Sequence, residues 1–195
     1  RRLNPPKFKR YQESKPWVRE EFHERCIYCC MPDAPQTQES FCVEHYRPKG
    51  IPEFDYLELV YENLFYPCSA CNRRKWKHWP TAAELANNEF FPNPCDHVMF
   101  DHLKYRGAEV EVRRKAGRYA NKYLDLNDPK SVEYREIVLD EIYHAEVRRH
   151  KAQEMLIEIN KKLAIGKTSQ LEDLKRKAEL NISRADKTLK FFGAV

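Results

Sequence analysis

The chain has 195 residues, 42% of them apolar and 33% charged, with a formal net charge of +5. That suits one soluble domain, or one domain with an appendage, and leans mildly toward polyanions. No signal-type apolar leader and no run of membrane-spanning length occurs, so secretion and membrane insertion are not expected and the cytoplasm is the expected compartment. Because the sequence opens on Arg1 without methionine, an initiator or short leader is expected to be missing.

Residues 1–25 read as a basic arm followed by a short helix. Pro5, Pro6 and Pro16 forbid a long helix before Trp17, and the helix is expected over 17–25. The basic residues admit two readings, a strap packed on the body or an arm lying on a phosphate backbone. Residues 26–30 read CIYCC, and 31–40 form a polar loop with two prolines. A strand is expected over 41–46, where aromatic and β-branched residues alternate. Pro48 to Pro52 end it. Residues 56–66 start with helical spacing and turn extended into Pro67. From Ser69 a helix is expected to run until Pro80 stops it.

The segment 81–130 is irregular by comparison. Thr81 with Glu84 predicts a capped helix, residues 103–114 around Gly107 a hairpin, and 120–129 a short helix or turn closed by Pro129. His97 and His102 sit in a proline-broken loop with no ligand register. Over 131–195 apolar residues recur at helical spacing in two runs, with Gly166 between them and a capping box at Ser169 and Glu172. This predicts a helical hairpin.

The chemistry concentrates between Cys26 and His78. Seven cysteines without a secretory signal favour zinc ligation over disulfides. Cys26/Cys29 and Cys68/Cys71 are two Cys-x-x-Cys pairs, the spacing that turns both sulfurs toward one ion. Four sulfurs leave no open coordination position, so that zinc is expected to be structural. Glu44 and His45 lie between the pairs. An imidazole can act as base near neutral pH, and a carboxylate can hold a hard divalent ion, but the dipeptide alone equally fits a solvated Glu and a buried His. Arg47, Lys49, Arg73, Arg74, Lys75 and Lys77 cluster on the two segments a zinc would join, and they are read as phosphate contacts.

The wording EHYRPK (44–49), ENL (62–64) and CSACNRRK (68–75) resembles the HNH, or ββα-metal, nucleases with a zinc-knuckle frame. The resemblance spans about residues 26–80. It implies His45 as general base, Glu44 and Asn72 as ligands of a catalytic Mg²⁺ or Mn²⁺, and Asn63 as the brace that orients the base. Asn72 stands where the motif often has histidine, and Glu44 where aspartate is commoner. The expected class is α+β, mostly α. A zinc-stapled ββα-metal core (26–80) follows the arm (1–25) and precedes the irregular segment (81–130) and the helical hairpin (131–195).

One branch is similar in particular: the HNH partners of ATPases in Septu-type and retron-linked antiphage defence. It implies a DNA endonuclease acting with an ATPase that docks on the C-terminal helices. The competing expectation is a non-catalytic, zinc-stapled module that binds nucleic acid or a partner.

Overall fold

The computed structural model describes residues 1–33 and 40–193, so most of the polar loop expected over 31–40 lies outside the described residues. The chain divides into two compact units, Arg1–Arg135 and Glu136–Val195. It is mostly helical, with two small antiparallel sheets, an α+β composition.

In the first unit, the helix α1 is Lys15–Glu21, preceded by a 3-10 turn at Tyr11–Ser14. Pro16 sits in its first turn, where its missing N–H costs nothing. The start of the N-terminal arm packs on the body. The Arg1 guanidinium donates to the carbonyls of Tyr61 and Leu64 and lies over the rings of Phe22, Tyr61 and Phe65.

The first sheet is short. Strand β1 is Glu44–His45 and β2 is Leu64–Phe65, paired antiparallel with Glu44 opposite Phe65 and His45 opposite Leu64. The strand expected over 41–46 therefore shrinks to two ladder residues, with Phe41 bridging separately to Cys68. Two 3-10 turns, Pro52–Leu57 and Tyr61–Asn63, fill the connection.

Helix α2, Ser69–Lys75, leaves the second cysteine pair directly. It ends well before Pro80, because Trp76 takes φ 47° and ψ −126° and the His78 N–H closes on the Lys75 carbonyl at 2.9 Å. Helix α3, Ala82–Ala86, carries the Thr81–Glu84 capping box. Strands β3 (Leu103–Arg106) and β4 (Glu109–Val112) form the hairpin about Gly107, at φ 59°.

Helix α4, Arg114–Leu124, starts earlier than the segment expected over 120–129. It packs so closely that a Cβ on Gly117 would stand 2.0 Å from the His102 carbonyl oxygen. Pro129 opens the next helix instead of closing this segment, since its fixed φ suits a first turn: α5 is Pro129–Ile165. The first unit's core runs from Val18 through the four cysteines, Leu64, Phe65, Tyr66 and Phe91 to Leu124 and Leu126.

The second unit holds most of α5 and α6, Ser169–Phe191. Thr168 caps α6 by accepting from the Leu171 N–H at 3.2 Å, one residue before the expected Ser169. Val138, Ala145, Ala152 and Ile159 are buried at seven-residue intervals on α5, and Ala178, Ala185 and Leu189 are buried on α6. A seven-residue spacing of this kind sets the buried residues in one stripe along the helix. Arg149 meets Asp186 at 3.5 Å across the pair. Among the described residues no helix is long and apolar enough to cross a membrane.

Candidate metal centre and the adjoining hollow

Helix α2 has a cysteine cluster at its start and an open hollow along its other side. The sulfurs of Cys26, Cys29, Cys68 and Cys71 all lie within 4.8 Å of one another, and all four residues are buried. Cys29 and Cys68 sulfurs are 3.8 Å apart. A tetrahedron with Zn–S bonds of about 2.3 Å has edges of about 3.8 Å. Backbone N–H groups of Cys29 and Cys71 point at the sulfurs of Cys26 and Cys68 at 3.5 Å each, turning each knuckle inward. Sulfur neighbours donating to Cys68 hold its thiol well below the usual range, while burial pushes Cys26 up. The cluster can hold a metal such as zinc, and among the described residues it is the one such group. His97 and His102 instead pack against Phe90 and each other.

The hollow, of about 580 Å³, is lined by Glu44, His45, Asn72, Lys49, Arg73 and Lys77, with Tyr11 and Trp76 at its walls. The cysteine knuckles flank it in the chain: β1 follows the first pair, and α2 begins with the second. Asn63 braces the loop leaving β1. Its side chain accepts from the Arg47 N–H at 2.8 Å and donates to the Arg47 carbonyl at 3.1 Å.

His45 is held from two sides. Its Nε2 lies 3.0 Å from the Glu58 carbonyl oxygen, and its ring meets Tyr11 edge-on at 4.5 Å. A carbonyl only accepts, so Nε2 carries the proton and Nδ1 keeps the lone pair. Burial pulls the His45 pKa below its usual value, against the Glu58 carbonyl that raises it. The ring is therefore neutral at pH 7.

Glu44 is buried and occupied. Tyr28 donates to its Oε1, and Lys75 Nζ stands 3.4 Å from its Oε2. Lys75 Nζ also donates to the His45 carbonyl at 3.2 Å. Burial pushes the Glu44 carboxyl up and the Lys75 ammonium down, each opposed by the attraction between them.

The six cations read as phosphate contacts thus part company. Lys75 is 0% exposed: it stands four residues after Cys71, on the same buried face of α2. That assignment is corrected, and its task is to neutralise Glu44. Arg74 is also committed elsewhere, its Nη1 bonding the Leu124 and Asp125 carbonyls at 3.1 Å and Asp128 Oδ2 at 3.0 Å. It caps the C-terminus of α4, where the carbonyls are otherwise unmatched.

Arg47, Lys49, Arg73 and Lys77 are exposed. Lys49 spans Tyr11 at 4.5 Å and Glu58 at 3.7 Å, and Arg47 lies over Phe54 and Trp79. Sequence reasoning missed Tyr28, Tyr11 and Trp76. Tyr28 lies between the ligands of the first knuckle, which gave a local signal of burial, but nothing in its surroundings points to Glu44.

No protein-family model, curated protein or solved structure matches this chain. Its chemistry rests on its own geometry.

Proposed function

We propose that the chain is a metal-dependent endonuclease of the HNH kind that hydrolyses DNA phosphodiester bonds. The observation that carries this reading is the pinned His45 ring, with Nε2 on the Glu58 carbonyl, in one hollow with Glu44, Asn72 and exposed cations. The order β1, β2, α2, framed by the cysteine pairs, supports a ββα-metal core.

In this reading His45 Nδ1 takes a proton from the attacking water. Asn63 fixes the loop that carries it, and Lys49, Arg73 and Lys77 seat the phosphates. Glu44 and Asn72 would hold Mg²⁺ or Mn²⁺ through a carboxylate and an amide oxygen, both hard donors, once Tyr28 or Lys75 yields a Glu44 oxygen. When bound, such an ion would offset charge developing on the phosphate and leaving oxygen. The cysteine cluster takes no part in the chemistry and holds zinc as a staple.

Exposed apolar residues on the second unit, including Leu139, Tyr143, Met155 and Ile157, support a docking surface for a partner. The resemblance makes that partner the ATPase of an antiphage system. Plasmid nicking with Mg²⁺ or Mn²⁺, with and without that partner, tests the enzyme reading. Wild type should cut and His45→Ala should not. DNA binding without cutting under every condition would overturn it.

The second reading, a non-catalytic zinc-stapled binding module, is favoured by one observation. Both Glu44 oxygens already have partners, Tyr28 and Lys75.

A further inference from the structure

Trp76 lines the hollow with its backbone in the left-handed region of φ. Its φ of 47° and ψ of −126° are those of the first central position of a type II′ turn, which glycine ordinarily fills. The turn is closed, with the His78 N–H on the Lys75 carbonyl at 2.9 Å. A side chain in this region of φ strains the backbone. Moreover, the indole is 66% exposed, so burial does not repay that strain. Lys77 Nζ is 6.0 Å from its ring centroid, too weak a surface contact to account for it.

The backbone that carries the indole is nonetheless fixed. The Trp76 N–H bonds the Asn72 carbonyl at 2.9 Å, tying its backbone to a residue of the hollow. On the far side, a Cβ on Gly50 would stand 2.7 Å from Lys77 Cε, so the loop after β1 lies against the same turn. Around the indole, Lys49, Arg73, Lys77 and Tyr11 line the hollow. Cations that follow a backbone, set beside an aromatic face, are how proteins hold unpaired strands. Duplex DNA hides its base faces and offers an exposed indole nothing to stack on.

We propose that Trp76 is a stacking platform for an unpaired nucleobase, and that the strand entering the hollow is DNA with single-stranded character. This rests on reading the hollow as the nucleic-acid site, but not on its cutting. Binding is measured without added magnesium or manganese, so that no strand is cut. Oligodeoxythymidylate and a duplex of equal length are titrated into wild type, Trp76→Phe and Trp76→Gly.

The single strand should quench wild-type indole emission, and Trp76→Phe should lose that quench while Trp17 and Trp79 remain as reporters. Trp76→Gly should weaken single-strand affinity about tenfold or more, leave duplex affinity within about twofold, and raise the melting temperature by relieving the turn. Equal weakening on both DNAs, unchanged single-strand affinity, a quench that persists in Trp76→Phe, or a lower melting temperature would each overturn the proposal. A protein that passes this test yet never nicks DNA keeps the stacking site and loses the nuclease reading.

Discussion

The two sides of α2 are built on opposite principles. At the cysteine cluster all four cysteines are buried and their sulfurs are directed at one another. Along the hollow, a neutral imidazole keeps one free nitrogen, three cations, Lys49, Arg73 and Lys77, face solvent and a tryptophan occupies a glycine turn. One side is optimised for folding, and the other tolerates groups that folding alone would remove. The same seven residues of helix serve both. A function assigned to a residue on this helix therefore depends on which way it faces.

The sharpest way to break the comparison is to empty the closed side. Structural zinc contributes about 10–16 kcal/mol of apparent binding energy in small metal-folded domains. Chelation, or Cys68→Ser, should abolish cooperative unfolding of the first unit as followed by circular dichroism and calorimetry. Equimolar zinc should be found by elemental analysis of the untreated protein. Retention of a cooperative transition without zinc would make the cluster four buried thiols.

On the open side, His45→Ala should lower the cutting rate about 10²–10⁴-fold, and losing its bond to the Glu58 carbonyl and its contact with Tyr11 should cost about 1–3 kcal/mol of stability. Lys75→Met should do the reverse of what a phosphate contact does. It leaves Glu44 buried beside Tyr28 without a counter-charge, at a cost of about 3–5 kcal/mol in denaturant unfolding. Lys77→Ala, two residues on, should leave stability within about 0.5 kcal/mol. Its effect should appear as a shallower salt dependence of DNA binding, by about one unit of slope.

The pH profile sharpens the contrast further. Burial sets the folded pKa of His45 below its usual 6.5, and in the proposed nuclease the neutral ring is the base. Cutting should therefore persist below pH 6.5 and fall only as pH drops through that lower folded value. The same shift means that the unfolded chain binds the proton first, so folding loses stability as pH falls from about 6.5. An inflection in the rate above pH 6.5 would contradict this account of the ring.

Much of the frame could be read from the sequence because it follows local rules. The Cys-x-x-Cys spacing brings the four sulfurs together, the Thr81–Glu84 box caps α3, and Gly107 turns the hairpin. Other elements depended on distant contacts. Strand β1 keeps two residues because Asn63 and the Phe41–Cys68 bridge hold the chain on either side of a ladder. Helix α2 stops at Trp76 because a turn bond to Lys75 competes with another helical turn.

The Arg73–Arg74–Lys75 run looked uniform in sequence. Successive residues on a helix point about 100° apart, so the three went to solvent, to the end of α4 and to Glu44. Counting four residues from Cys71 would have placed Lys75 on the buried face. Nothing local marks Tyr28 or Tyr11 as neighbours of Glu44 and His45, since those contacts exist only once the knuckle and the N-terminal strap have packed.

Anomalous scattering from crystals grown with zinc and soaked in manganese tests the central claim most directly. The account predicts zinc at the centre of Cys26, Cys29, Cys68 and Cys71, and manganese in the hollow against Glu44 and Asn72, on the side of His45 Nδ1. Zinc in place with no manganese bound there, and with Glu44 still closed on Lys75 and Tyr28, would contradict the nuclease reading and leave a stapled binding module.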